Sequence, residues 1–263
     1  MSNSTVRAPR GPKVALRFGP YRGPIARRGA TAGTAPARRT PGAVISNPIV
    51  LVHGTRTSSS IWDPQVAALE AHGHTAIAVD LPGHGTRRGE RFTLEGALDA
   101  IDEAVGACVA PPLLVGLSLG GYTSLAYAGR NQHRLSGVVL AGCSTELRGK
   151  PLGLYRHLAH HANRRLSIGG DTWNVVTEML AAVAGYSPLA DLRRLSLPVW
   201  LVNGARDPLR LDERRYLRAR PGTRLTVVPG AGHDVNSHAP AAFNRALFEA
   251  LAELRHREAP VLV

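Results

Sequence analysis

The chain contains six short apolar runs, each bounded by glycine, proline or polar residues. The runs are continuous rather than alternating, and they are rich in valine, isoleucine and leucine. This pattern is typical of strands that are covered on both faces, as in a parallel sheet. The predicted strands are residues 49–52, 75–79, 113–115, 137–140, 199–202 and 225–228.

Apolar residues recur at helical spacing between these strands. One set predicts an amphipathic helix before the third strand: Leu94, Ala97, Leu98, Ile101 and Val105. Another set predicts the last helix: Phe243, Leu247, Ala250, Leu251 and Leu254. Asp63 and Pro64 predict the start of the first helix, with aspartate as the N-cap. The alternation predicts an α/β fold with a doubly wound, mostly parallel sheet of about six strands.

Composition indicates one domain preceded by a basic extension. The 263 residues are 44% hydrophobic and 19% charged, which is ordinary for a soluble globular protein. Of the net charge of +13, residues 1–47 carry +9, from eight arginines and one lysine without any acidic residue. We therefore predict an extension without regular structure at residues 1–47 and an α/β domain at residues 48–263.

The rest of the composition excludes several classes of protein. Residues 48–263 hold 23 basic and 19 acidic side chains and no recognisable nucleic-acid-binding module, so no nucleic acid partner is predicted. No apolar run approaches the ~18 residues of a membrane span, and residues 1–47 lack the apolar core of a secretory signal. Cys108 and Cys143 are too few for a disulfide framework. We predict a cytoplasmic protein, with organellar targeting by the arginine-rich N-terminus as the alternative.

The third predicted strand runs into Gly-Leu-Ser-Leu-Gly at residues 116–120. A serine on such a tight strand-to-helix turn has a strained backbone, and its hydroxyl is lifted into the open beside the helix N-terminus. Glycine is needed at Gly116 and Gly120 because a side chain there would collide across the turn. Ser118 is therefore the candidate nucleophile, and the backbone N–H of Leu119 is a candidate donor to an oxyanion.

Two polar residues that follow later strands can serve this serine. Asp207 comes just after the fifth strand, and His233 comes just after the sixth. Loops after parallel strands open on one edge of the sheet, so these residues are expected to converge with Ser118 although 89 and then 26 residues separate them. A serine hydroxyl needs a base, and a carboxylate can orient the imidazole that supplies it. We predict His233 as the base and Asp207 as the acid, with Asp234 as the nearest competitor for the acid role.

Five segments, in order, resemble the α/β-hydrolase superfamily over residues 48–254. They are 50-VLVHG-54, 79-VDLPGHG-85, 116-GLSLGG-121, 203-NGARDP-208 and 230-GAGHD-234. The resemblance implies the chain order nucleophile, acid, histidine that Ser118, Asp207 and His233 follow. It also implies that the backbone N–H of Thr55 completes the oxyanion hole, and that no cofactor or metal takes part. Two strands that precede the His-Gly strand in many members have no counterpart in this sequence.

The strand–helix alternation stops between residues 146 and 187, where the superfamily inserts a helical cap over the active site. Trp173, Met179 and Tyr186 are candidate substrate-pocket residues there, although packing of a cap helix is the commoner role of such an apolar stripe. The spacing of His157, His160 and His161 could gather a metal. Because no carboxylate accompanies them, we prefer a solvated basic helix face.

Serine rather than aspartate at the elbow argues against haloalkane dehalogenases and epoxide hydrolases, which use a carboxylate there. The resemblance favours a cofactor-free serine hydrolase that cleaves a carboxylic ester of a small or medium apolar substrate through an acyl-enzyme. A lyase, a C–C bond hydrolase or an acyltransferase could use the same triad, and a non-catalytic small-molecule receptor could keep it. The sequence does not indicate the oligomeric state.

Overall fold

The computed structural model describes residues 47–150 and 172–258, which contain a six-stranded parallel sheet with helices on both faces. The strands lie in the order β2-β1-β3-β4-β5-β6, and every neighbouring pair is parallel. Their bounds are β1 Ile49–Val52, β2 Ala76–Val79, β3 Leu113–Leu117, β4 Gly137–Ala141, β5 Val199–Gly204 and β6 Arg224–Val228. The predicted doubly wound α/β fold is confirmed, and each predicted strand overlaps an observed one.

Eight helices flank the strands in the described part of the chain. They are α1 Asp63–Ala71, α2 Leu94–Gly106, α3 Leu119–Asn131, α4 Thr172–Ala182, α5 Pro188–Arg194, α6 Glu213–Ala219, α7 Val235–His238 and α8 Pro240–Glu258. Helices α1 and α8 pack on one face of the sheet, while α2, α3, α5 and α6 pack on the other. Each face has its own hydrophobic cluster, so β1 to β5 are largely buried on both sides, whereas the edge strand β6 is partly exposed. Burial on both sides explains why β1 to β5 are continuously apolar.

The order of the strands creates a crevice at the carboxyl end of β1. The chain first moves outward from β1 to β2 and then crosses back to pair β3 with the other side of β1. Such a reversal is where α/β sheets bind ligands, because the loops that leave the neighbouring strands diverge there. The loops after β1, β3, β5 and β6 carry the predicted site residues to this edge.

The start of α1 differs from the prediction. Trp62, not Asp63, is the N-cap residue, and Asp63 is the first residue of the helix. The reason is a 3-10 turn over Ser59–Trp62 that leads directly into α1, so the backbone at Trp62 is already close to helical. Thr93 caps α2 by accepting a hydrogen bond from the N–H of Gly96 at 3.0 Å.

The two ends of the predicted cap insertion lie against each other. The buried carboxylate of Glu146 accepts hydrogen bonds from the Ser187 hydroxyl at 3.1 Å and the Leu189 N–H at 3.3 Å. Of the intervening residues, 147–150, α4 and the segment after α4 are described. The basic extension, apart from residue 47, and the segment 151–171 with His157, His160 and His161 lie outside the described residues. None of the described helices is long and apolar enough to cross a membrane.

Candidate active site

Ser118 stands on a strained turn between β3 and α3. Its φ of 55° and ψ of −115° are unusual for a residue with a side chain. A Cβ at Gly116 would collide with the carbonyl oxygen of Gly120, and a Cβ at Gly120 would collide with that of Val52. The N–H of Ser118 donates to the carbonyl of Ala141 at 2.8 Å, which ties the turn to β4. Close backbone packing therefore holds the serine in place.

His233 connects Ser118 to Asp207. Its Nε2 lies 2.8 Å from the Oγ of Ser118, and its Nδ1 lies 3.0 Å from the Oδ1 of Asp207. An ionised carboxylate can only accept, so Nδ1 donates to Asp207 and Nε2 is left to accept from the serine hydroxyl. The structure thus brings the three predicted residues together. Asp234 lies at the N-cap of α7 and forms no hydrogen bond with the ring of His233.

The contact with Asp207 changes the proton affinity of both partners. The hydrogen bond and charge of Asp207 raise the pKa of His233 above 6.5, against the lowering effect of burial. Burial acts to raise the pKa of Asp207, but hydrogen bonds from His233 and the N–H of Leu209 outweigh it and lower that pKa. Asp207 is therefore an anion at neutral pH, and it stabilises a proton on the imidazole.

Two backbone N–H groups lie beside the nucleophile. Thr55 follows β1 and Leu119 begins α3, and both line the same cavity as Ser118. Neither N–H has an acceptor among the described residues. The first N–H groups of a helix have no partner within it, and its dipole favours negative charge at that end. Neither predicted oxyanion donor is thus engaged by another acceptor in the described part of the chain.

A cavity of about 550 Å³ opens above Ser118. Its walls are mostly apolar, and its aliphatic lining includes Leu119, Leu147, Val176, Met179, Leu180 and Val183. Of the predicted pocket residues, Met179 lies in this lining. Tyr186 does not; it follows the end of α4 and packs against the hydrophobic cluster on the α3 face of the sheet. Trp173 belongs to α4, but its side chain lies outside the described residues.

The profile of the α/β-hydrolase family matches residues 49–246, which include Ser118, Asp207 and His233. The chain belongs to this family. As an α/β hydrolase, it is 27% identical over 233 residues to the pimeloyl-[acyl-carrier protein] methyl ester esterase of Neisseria meningitidis, a match that covers 73% of each chain. It is 40% identical to the protein of the same name from Xylella fastidiosa over 77 residues, 29% of each chain.

Solved structures show the same fold. A thermophilic esterase from Thermogutta terrifontis superposes with a TM-score of 0.65 at 23% identity, covering 79% of this chain and 90% of that one. A bromoperoxidase from Bacillus anthracis superposes with a TM-score of 0.63 at 20% identity, covering 79% and 92%. These two structures are named for different activities, although their TM-scores against this chain are similar. The fold of this α/β hydrolase therefore says little about its substrate.

Sequence reasoning missed one wall of the cavity. Tyr122, Thr145 and Leu209 line it, and Arg56 lies at its border. Tyr122 could have been found, because it lies one helical turn after Ser118 on the same face of α3. Thr145 and Leu209 had no such signal, because they lie in the loops after β4 and β5, whose course is set by tertiary contacts. One of these contacts is the hydrogen bond from the Thr145 hydroxyl to the Leu209 carbonyl at 2.7 Å.

Proposed function

We propose that this α/β hydrolase cleaves a carboxylic ester with a small or medium apolar acyl group through an acyl-enzyme on Ser118. The observation that carries the proposal is the hydrogen-bonded chain from Ser118 through His233 to Asp207. The Ser118 end of this chain opens into an apolar cavity. The relatives named as methyl ester esterases support an ester over other carbonyl compounds.

In the first half-reaction, Ser118 Oγ attacks the ester carbonyl carbon while Nε2 of His233 accepts the hydroxyl proton. The 2.8 Å contact between these atoms permits the transfer without rearrangement. The carbonyl oxygen becomes an oxyanion, which the N–H groups of Leu119 and Thr55 stabilise. When the tetrahedral intermediate collapses, the C–O bond to the alcohol breaks, and His233 returns its proton to the departing alkoxide.

In the second half-reaction, water replaces the alcohol. His233 removes a proton from water as the water oxygen attacks the acyl carbon, and the same two N–H groups hold the second oxyanion. Collapse releases the carboxylic acid and returns the proton to Ser118 Oγ. Asp207 stays ionised throughout, because its pKa is lowered in the resting site and the charged imidazole stabilises the anion further.

The cavity favours an acyl chain of limited length. Its volume of about 550 Å³ suits a small molecule, and its aliphatic walls offer an apolar chain a surface to pack against. Met179 on α4 forms part of this wall, as do Val176 and Leu180. We assign the acyl portion to this cavity. Met179→Ala is expected to shift the preferred acyl length upward in a panel of graded esters, and Tyr186→Phe, which changes a residue outside the lining, serves as its control.

A fluorophosphonate probe tests the covalent step directly. It is expected to label Ser118, and Ser118→Ala should lose both labelling and ester hydrolysis. Ser124→Ala is the matched control, because Ser124 is a buried serine six residues further along α3 that does not line the cavity. Hydrolysis of the ester panel by Ser118→Ala at the wild-type rate would refute the proposal.

The same panel of graded esters distinguishes the ester hydrolase from the alternative functions. A lyase or C–C bond hydrolase would be labelled at Ser118 yet leave simple esters intact, and an acyltransferase would need an added alcohol acceptor for turnover. A receptor would bind a ligand tightly with little or no turnover. Release of the free acid in multiple turnovers, without an acceptor, supports the ester hydrolase over all of these.

A further inference from the structure

A second cavity lies next to the one above Ser118. It has a volume of about 590 Å³, and its polar lining is Arg56, Thr57, Ser58, Ser60, His84 and Arg88. Arg56 borders both cavities. The two spaces thus meet at the residue that directly follows Thr55, one of the two oxyanion donors. A molecule bound at Ser118 could extend past Arg56 into the second cavity.

The second cavity is positively charged. Arg56 and Arg88 have no carboxylate within ion-pair distance among residues 47–150 and 172–258, and neither aspartate nor glutamate lines either cavity. Neighbouring arginines are paired instead: Arg87 contacts Glu90 at 2.8 Å, and Arg91 lies 3.7 Å from Glu178. Residues 1–46 contain no acidic residue at all, and residues 151–171 contain one. Within the described residues, the two cavity arginines therefore have no carboxylate partner.

Besides Glu90, these loops contain one more carboxylate, Asp80, and it forms its hydrogen bonds within the loops. Asp80 accepts hydrogen bonds from the N–H of Ser59 at 2.7 Å and from the N–H and hydroxyl of Thr86, each at 2.9 Å. It holds the loop after β1 against the loop after β2 and does not line the cavity. Asp80 thus shapes the cavity wall, and it forms no ion pair with Arg56 or Arg88.

The backbone of Arg56 is strained. Its φ of 63° lies in the left-handed region, and Ser118 is the only other residue with a side chain that has a positive φ in the described part of the chain. Strained conformations of this kind persist where the surroundings hold them, and they cluster at ligand-binding and catalytic sites. The two strained residues border the same cavity. Arg56 thus lies where the two cavities meet.

We propose that the second cavity binds an anionic oxygen group, a carboxylate or a phosphate, on the alcohol portion of the ester. The inference rests on the proposed function, which assigns the acyl portion to the apolar cavity and so directs the alcohol portion past Arg56. Arginine suits both groups because its planar guanidinium can donate two parallel hydrogen bonds to either. The hydroxyls of Thr57, Ser58 and Ser60 supply further donors on the same wall.

Matched pairs of butanoyl esters test this subsite. One pair contains the ester of 3-hydroxypropanoate and that of 3-hydroxypropanamide, and the other contains the ester of 3-hydroxypropyl phosphate and that of its neutral dimethyl form. For wild-type protein, kcat/KM is expected to be about tenfold higher for the anionic member of at least one pair. The pair with the larger ratio identifies carboxylate or phosphate as the natural group.

Two variants locate the effect. Arg88→Gln should reduce the ratio of anionic to neutral kcat/KM by about tenfold, and Arg88→Glu should invert it, because a carboxylate would repel the anion. Arg91→Gln is the control; it removes a positive charge three residues away that does not line the cavity, and it should leave the ratio within about twofold. Equal losses in Arg88→Gln and Arg91→Gln would overturn the subsite, since a general positive field would then explain the preference.

The outcomes for the two proposals differ. Hydrolysis of neutral and anionic esters at equal kcat/KM would overturn the anionic subsite and leave the ester hydrolase intact. Failure of the wild-type protein to hydrolyse any member of either pair would refute the ester hydrolase itself, and the inferred subsite with it.

Discussion

Two loops at the same edge of the sheet each carry a histidine, but the surroundings give these histidines opposite properties. His53 follows β1 and is fully buried, whereas His233 follows β6 and is partly exposed. Burial lowers the pKa of His53 to about 4, while the hydrogen bond to Asp207 raises the pKa of His233. Position after a parallel strand is thus common to both residues, and the difference lies in what the two ring nitrogens contact.

Both ring nitrogens of His53 are used for structure. Its Nδ1 donates to the carbonyl of Gly54 at 2.7 Å, and its Nε2 accepts from the N–H of Leu81 at 3.1 Å. The ring also lies 4.9 Å from that of His84, whose pKa is likewise lowered by burial. His53 is therefore a neutral side chain that joins the loop after β1 to the loop after β2.

In His233, only one nitrogen contacts a charged group. Asp207 stabilises the protonated ring, and Nε2 faces the hydroxyl of Ser118 rather than a backbone group. A base needs a nitrogen that is free to take up a proton and surroundings that tolerate the resulting charge. His233 has both features, and His53 has neither. The comparison indicates that the partner, not the position, distinguishes a base from a structural histidine.

Replacing His233 by alanine should have the largest effect. Triad residues act as a unit, so kcat should fall by about 10⁶-fold in His233→Ala. Initial rates on the most reactive small ester would measure this, with circular dichroism to check folding. A loss of less than about tenfold would remove His233 from the mechanism and with it the contrast with His53.

The features found correctly from sequence are those that depend on local pattern. The strands were predicted because burial on both faces leaves continuous apolar runs, and the elbow was predicted because its glycines are required by contacts within a few residues. The convergence of Ser118, Asp207 and His233 followed from the rule that parallel strands open their loops on one edge. Such rules predict which residues reach the site from their positions along the chain, without knowledge of side-chain contacts.

The features missed depend on contacts between distant segments. The N-cap at Trp62 follows a 3-10 turn over Ser59–Trp62, and the N–H of Ser59 in this turn donates to Asp80, 21 residues away. Tyr186 follows helix α4 and turns toward the core rather than the cavity. Arg56 and Arg88 lie 32 residues apart, and they meet only because β1 and β2 are neighbours. Helical spacing and composition do not predict these contacts between distant residues.

Asp207→Asn should have the next largest effect. Asparagine can favour the wrong imidazole tautomer and no longer stabilises the charged ring, so kcat should fall by about 10⁴-fold. Asp234→Asn is the matched control, because Asp234 follows His233 directly but makes no hydrogen bond with its ring. The kcat values of the two variants on one ester show which aspartate acts as the acid. A large loss in Asp234→Asn with Asp207→Asn unaffected would transfer the acid role to Asp234.

His53→Ala should affect stability more than chemistry. The variant leaves the buried N–H of Leu81 without its acceptor and opens a small cavity, so the free energy of unfolding should decrease by about 2 kcal/mol. Thermal unfolding should show this as a Tm lower by about 4–8 °C. Below that transition, kcat/KM should stay within about tenfold of wild type. A loss comparable to that of His233→Ala, in a folded protein, would contradict the assignment of the two histidines.

The smallest effect is a shift in the pH profile. The base must be neutral to accept the serine proton, so kcat/KM should be high above the pKa of His233 and fall as the pH drops through it. Because Asp207 raises this pKa above 6.5, the midpoint of the acid limb should lie above pH 6.5.

In Asp207→Asn the largest cause of the shift is gone, so the midpoint of the residual activity should move to lower pH. The charge of Asp234 contributes less, and Asp234→Asn should move the midpoint in the same direction by a smaller amount. Rates measured from pH 5 to pH 9 on a neutral ester would check the three midpoints. An unchanged midpoint in Asp207→Asn would show that this carboxylate does not control the proton on His233.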